Sequence, residues 1–160
     1  MKKITVLLLL FALLTGFAAE LVKDGKASGV IVLAEKPTRI ARFAAAELNA
    51  HIEKITGTAL PVVTAPQAGK TNIYVGASKY TPGNKTFALE EYMIKVKGND
   101  IFLLGHDEED FRSFDYQKVN TFPTQWQKKG TCYAVYDFLD RLGVRWYLPI
   151  ELGTHFIKQK

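Results

Sequence analysis

Gly130-Thr131-Cys132-Tyr133-Ala134-Val135-Tyr136-Asp137-Phe138-Leu139-Asp140-Arg141-Leu142-Gly143-Val144-Arg145-Trp146-Tyr147-Leu148-Pro149 is the stretch that decides the fold. Val135, Phe138, Leu139 and Leu142 recur at the three-, four- and seven-residue spacings that place side chains on one helical face, while Asp137, Asp140 and Arg141 fall on the other. This predicts a helix over 131–142 with a core side and a solvated side. Thr131 reads as its N-cap, because a hydroxyl there can accept from a first-turn amide that lacks a carbonyl partner. Gly143 suits the left-handed position just past the last turn, which a β-carbon disfavours. From Val144 the chain reads as a buried strand that Pro149 ends, with Arg145 and Tyr147 on one face and Trp146 on the other. Cys132 shares the apolar helix face, where it acts as a small hydrophobe. It is the only cysteine, so no intramolecular disulfide staples the chain.

Upstream, Val30-Ile31-Val32-Leu33 is a continuous β-branched run, the mark of a strand buried on both faces. Pro37 breaks it, and Thr38 can cap a helix that begins at residue 39. From 39 to 56, Ile40, Phe43, Ala44, Leu48, Ile52 and Ile55 trace a helical stripe that Gly57 closes. His51 lies beside the stripe with no second metal ligand at helical spacing, so it reads as a structural histidine. Residues 60–63 form a short apolar run and 72–76 a second strand ending on Gly76. Gly76, Gly83 and Lys85 lack the spacing of a phosphate loop, and Pro82 intervenes. Tyr92, Ile94 and Val96 alternate with Met93, Lys95 and Lys97. Gly98-Asn99 then turns the chain into the apolar return strand 100–105, which makes a β-hairpin. The expected order is strand, helix, short strand, strand, hairpin, helix, strand: an α/β or α+β sandwich of helices on a mixed sheet. The last helix with its flanking strands reads as a β-loop-α-β unit.

Several of these segments carry a resemblance. The run G-T-x-Y-A-V-Y-x-F-L-x-x-L-G-V-R-W-Y-x-P at 130–149 resembles the end of the domain that precedes the catalytic barrel in α-glucuronidases. It is more similar still to a group of uncharacterised secreted bacterial proteins that begin with that domain. A-A-A-E-L-N-A-H-I-E-K-I-T-G-T-A-L-P at 44–61, I-Y-V-G at 73–76 and I-F-L-L-G at 101–105 match the same pattern in the same order. The resemblance implies a fold similar to the second domain of β-N-acetylhexosaminidases. It also implies a carbohydrate partner, handled by a (β/α)8 barrel on the carboxy-terminal side that carries the catalytic carboxylates. No residue here matches a catalytic position of that barrel, so the resemblance assigns no catalytic residue, metal or cofactor to this chain.

Met1-Lys2-Lys3, the apolar run 4–14 and the small-residue exit at Gly16 and Ala18 have the layout of a signal peptide cleaved after Ala18. The apolar run is shorter than the ~20 residues that cross a bilayer. The expectation is a leader at 1–18 and one domain at 19–160, exported to the periplasm or outside the cell, with no membrane attachment after cleavage. The net charge is +5 at pH 7, two of those charges being Lys2 and Lys3, and the remaining bases are dispersed. Nucleic-acid binding needs a concentrated basic stripe, so that class is excluded.

His106-Asp107-Glu108-Glu109-Asp110 puts one histidine and four carboxylates in a row. Consecutive residues point apart in any regular conformation, so the run reads as a solvated acidic loop rather than a metal site. Residues 111–129 lack sustained periodicity and hold Phe111, Phe114, Tyr116, Phe122 and Trp126, an aromatic-rich loop that is functional or packed on a neighbour. Glycoside hydrolysis needs two carboxyl groups about 5 to 10 Å apart across the scissile bond. Glu90-Glu91, residues 107–110 and Asp137 with Asp140 are the dense acidic sets, and none is preorganised by its local pattern. The first functional reading is therefore a non-catalytic accessory domain of a secreted carbohydrate-active protein. The alternative is a free-standing secreted carbohydrate-binding or interaction module, and an enzyme in its own right is the third. Arg145 and Trp146 are the candidate substrate-binding residues, since tryptophan can cover a pyranose face and an arginine fork can grip a uronic carboxylate.

Overall fold

The computed structural model of the chain describes residues 19–83, 86–147 and 153–158. The leader expected at 1–18, and Leu148 with Pro149, lie outside the described residues. The elements run β1 (Val22–Lys23), β2 (Lys26–Ala27), β3 (Gly29–Val32), α1 (Arg39–Thr56), β4 (Val62–Val63), β5 (Thr71–Val75), β6 (Tyr92–Lys97) and β7 (Asp100–Gly105). A 3-10 turn at Val119–Thr121, α2 (Gly130–Arg141), β8 (Arg145–Trp146) and β9 (Thr154–His155) complete the order.

Five strands form one mixed sheet in the order β4-β3-β5-β7-β6. β3 runs parallel to β4 and β5, β5 runs parallel to β7, and β6 closes the edge antiparallel to β7. Ile31, Ile73 and Ile101 sit opposite one another across three strands, so their side chains share one face. That face, with Val75 and Leu103, packs against Ile40, Ala44, Leu48 and Ile52 of α1 and Val135, Phe138 and Leu139 of α2. Each fully buried aliphatic side chain contributes roughly 1.5–3 kcal/mol. The opposite face holds a second cluster of Val30, Val32, Tyr74, Phe102 and Leu104, in which the Tyr74 and Phe102 rings stack at 4.7 Å. Burial on both faces is what the unbroken apolar runs of β3 and β7 report. The molecule is thus an α+β sandwich with a mixed sheet and two helices, as the periodicity indicated.

The first helix forms as read. The Thr38 hydroxyl accepts the Ala41 N–H at 3.1 Å, and Gly57 closes the last turn at φ +77°. The hairpin also forms, with Lys97 opposite Asp100.

The segment after α2 departs from expectation. Gly143 does adopt φ +94°, but Val144 owes its burial to the helix cap and not to a sheet. The Val144 N–H donates to Leu139 O at 3.0 Å and the Gly143 N–H to Asp140 O at 2.9 Å. This is a Schellman pair, and it folds Val144 under the helix against Leu139, with both residues fully buried. The chain then leaves the core. β8 pairs antiparallel with β9 in a separate two-stranded ribbon, so α2 makes no crossover back into the main sheet, and Arg145, Trp146 and Tyr147 are exposed.

Candidate functional site

Both helices come after parallel strands, α1 after β3 and α2 after β7, so both begin at the carboxyl edge of the sheet. They lie side by side in the same direction: the Cys132 thiol reaches Ile40 O at 3.9 Å, and the Tyr136 hydroxyl donates to Glu47 at 3.0 Å. The carboxyl edge is where ligands gather in open α/β sheets, because helix N-termini and strand ends leave backbone groups there without partners.

Two glycines let the chain close at this edge. A β-carbon on Gly105 would lie 2.1 Å from the Gly130 carbonyl carbon, and one on Gly130 would lie 2.4 Å from His106 N. The end of β7 and the start of α2 are therefore in backbone contact. The Gly130 N–H donates to His106 O at 2.9 Å and the Glu108 N–H to Lys128 O at 2.8 Å, so residues 106–108 and 128–130 run alongside one another. Residues 109–127 become an excursion closed at its base.

The acidic run is not the solvated loop read from its composition. Asp107 points inward, and its Oδ1 accepts the Thr131 N–H at 2.9 Å. Thr131 itself is not the N-cap. It lies inside the first turn of α2, fully buried, with Lys129 at the cap position making no side-chain cap bond. The cap is supplied from Asp107 instead. Burial pushes the Asp107 carboxyl up to about 6, against the lowering effect of the Thr131 N–H bond and the charge of His106. Asp107 lies in the wall of a cleft of about 680 Å3 with Thr38, Lys36, Phe87, Phe111 and Lys128.

Asp110 is buried as well, with its side chain 7% exposed and paired to the equally buried Arg39 at 2.6 Å. Arg112 grips it through Nε and Nη2, both at 2.9 Å, and Gln127 Nε2 donates to it at 2.9 Å. The Arg112 hydrogen bonds, with those of Gln127 and the Arg39 charge, hold the Asp110 carboxyl far below the usual carboxylate range. Arg39 also donates from Nη1 to Thr121 O and from Nη2 to Gln127 Oε1, while its buried Nε makes no hydrogen bond. Among the described residues no group of three or more His, Cys, Asp or Glu side chains is placed to hold a metal ion.

The aromatic loop divides in two. Phe114, Tyr116 and Phe122 fold back onto Phe43 of α1 with ring centroids 5.1–6.0 Å apart. One carboxylate ties this cluster down: Glu47 accepts the Tyr116 hydroxyl at 2.6 Å and the Tyr136 hydroxyl at 3.0 Å. Burial, then the Glu47 carboxylate, raises both phenols above their ordinary range. Tyr116, at the margin of the cluster, is itself 42% exposed. Phe111 and Trp126 make no ring–ring contact among the described residues, at 45% and 86% exposed. With Glu108, Glu109, Arg112 and Gln127 they line a shallow groove of about 810 Å3 that continues the cleft beside Asp107.

Arg145 and Trp146 are elsewhere. They come after the carboxy-terminal end of α2, at the far end of the helical layer from this cleft. The Arg145 guanidinium is held by Asp140 Oδ1 at 2.7 Å and Val144 O at 2.9 Å. Trp146, 37% exposed, meets the rings of His51 and Tyr136 edge-on, each at 5.5 Å. His51 is 6% exposed and its Nδ1 lies 2.9 Å from Glu47 O, a structural placement as read. The two candidate binding residues are therefore held by structural contacts, and the residues that gather at the carboxyl edge come from a run read as solvent-facing.

No family model matches this chain, and no curated protein matches it in sequence.

The chemistry open to the edge is set by these commitments. Both Asp110 oxygens are engaged by Arg39, Arg112 and Gln127, and Asp107 Oδ1 caps α2. Asp110 is thereby committed to the fold through both oxygens, and Asp107 is tied through one oxygen to the first turn of α2. What faces outward is a set of binding groups: two aromatic rings, the Glu109 carboxylate and the outer edge of Arg112.

Proposed function

We propose that this chain is the non-catalytic accessory domain of a secreted, glycoside-hydrolase-like carbohydrate-active protein, of the kind that precedes the barrel in α-glucuronidase-like proteins. The observation that carries this reading is the placement of the resembling segments. The 44–61 segment spans the buried face and glycine cap of α1, 73–76 lies on β5, 101–105 lies on β7, and 130–149 begins with α2 and its Schellman cap. The resembling residues thus coincide with the elements that build the sandwich, in the order the resemblance implies, which supports a fold similar to the second domain of β-N-acetylhexosaminidases. The engagement of Asp107 and Asp110 by the fold favours a non-catalytic role.

The helical layer supports a docking role. Phe43, Tyr116, Phe122, Tyr136 and Trp146 line its outer side, tied together through Glu47, with Val119, Tyr147 and Ile157 exposed around it. Apolar surface of this kind suits a protein partner. The test pairs two measurements. The purified chain is expected to release no aryl group from a panel of aryl glycosides, uronides included, and the coding frame beyond Lys160, or the neighbouring frame, is expected to encode a barrel. Hydrolysis that rises in proportion to purified chain and co-elutes with it overturns the reading.

A further inference from the structure

We infer that the groove between Phe111 and Trp126 at the carboxyl edge is a binding site for neutral saccharides, separate from the helical layer through which an accessory domain would dock. The inference goes beyond the accessory-domain reading and stands on its own geometry. Trp126 is 86% exposed and has no ring partner among the described residues, an unusual state for the largest apolar side chain. Its backbone is nevertheless fixed. The adjacent Gln127 is locked by Arg39, Asp110 and the Thr124 N–H, and Phe111 adjoins Asp110, the other centre of the same buried network. One buried ion pair therefore fixes the chain beside both exposed rings, which lowers the entropic cost of binding against them.

The lining selects the ligand. Aromatic faces cover the apolar C–H face of a pyranose, while the rim offers acceptors and a donor for its hydroxyls. The Glu108 and Glu109 carboxylates make no hydrogen bond or ion pair with described residues, and Arg112 uses only Nε and Nη2 on Asp110 with its side chain 72% exposed. Lys36 sits 5.2 Å from the Phe111 ring centre, which leaves the groove with charges of both signs around its aromatics. Of the carboxylates in the lining, Asp110 is neutralised by Arg39 and Arg112, while Glu108 and Glu109 stand at the rim and disfavour nucleic acid, anionic lipid and polyuronates.

The experiment is affinity electrophoresis of the purified chain through gels containing a soluble β-glucan, a mannan, an arabinoxylan or a polyuronate, with tryptophan fluorescence titration of any polysaccharide that retards it. Retardation by at least one neutral polysaccharide is expected. Trp126→Ala should weaken binding about tenfold or more and Phe111→Ala should weaken it less, with urea midpoints unchanged because both rings are exposed. Trp146→Ala should bind as the parent does. Failure to bind any neutral polysaccharide overturns the proposal, as does binding to the polyuronate alone, binding that Trp126→Ala leaves intact, or capture of a proline-rich peptide without any saccharide. Each of these leaves the accessory-domain reading standing. Hydrolysis by the chain alone would overturn that reading and leave this site in place.

Discussion

The Asp107 carboxylate accepts the backbone N–H of Thr131 at 2.9 Å across 24 residues of chain. This bond is a helix N-cap delivered from the end of the preceding strand, and it ties β7 to α2 at the edge where the cleft opens. An exposed side-chain cap is worth about 1 kcal/mol, but this one also takes a carboxyl group out of water, and the two effects oppose each other.

The opposition makes Asp107 a source of pH dependence. Its folded-state value of about 6 lies above the ordinary 3.8, so the folded state holds the proton more tightly than the unfolded chain between those two pH values. Stability from this group is complete below pH 3.8 and is lost as pH rises through 6, to a total of about 3 kcal/mol. Asp107→Asn keeps an acceptor for Thr131 and should flatten the urea-stability profile across that window while raising stability at pH 7. An unchanged slope in the variant would show that another group titrates there.

Asp110, three residues on, carries the opposite sign. Its folded-state value is depressed, so its contribution is present above the ordinary carboxylate range and lost as pH falls below it. Asp110→Ala leaves the Arg39 guanidinium buried without its counter-charge and should cost about 3–5 kcal/mol at pH 7. A loss under ~1 kcal/mol in a urea titration would mean that Thr121 and Gln127 alone satisfy Arg39.

Gly130 is held by packing. A β-carbon there would meet His106 N at 2.4 Å and Glu91 O at 2.6 Å, both backbone atoms that no rotamer change can move. Gly130→Ala should cost about 3 kcal/mol by overpacking. Gly143→Ala, with open space around the new carbon and only φ +94° to oppose it, should cost about 1–2 kcal/mol. Equal losses in thermal unfolding would contradict the close approach of β7 and α2.

Cys132 is 2% exposed, and burial, then the Asp107 charge, pushes its thiol far above the ordinary range. Thiol labelling of the native chain at pH 8 should be slower than labelling in denaturant by orders of magnitude, because it must wait for opening. Comparable rates would place the thiol at the surface.

The candidate site was less legible than the sandwich around it. Trp126 and Phe111 were visible as aromatics in an aperiodic loop, but Phe114, Tyr116 and Phe122 share that loop and are packed on α1. Only the fold separates the two rings that stay out of the Phe43 cluster from the three that join it, since nothing in local spacing records which rings find Phe43. Asp107 and Asp110 looked like neighbours in one solvated run for the same reason. Their partners Thr131 and Arg39 lie 24 and 71 residues away in opposite directions along the chain.

By itself the sequence determined the two helices, the hairpin, the doubly buried strands, the left-handed glycine after α2 and the burial of Cys132. Each of these comes from side-chain period, turn sterics or apolarity within a short window, and such windows contain their own cause. The tertiary structure alone decided that α2 is capped by Asp107 and not Thr131, that Val144 enters the core through a Schellman turn while Arg145 and Trp146 leave the main sheet, and that a buried ion pair stands behind Phe111 and Trp126. Those outcomes depend on which backbone donors, charges and surfaces meet across the fold. A buried amide or guanidinium takes the partner that reaches it, however far along the chain that partner lies.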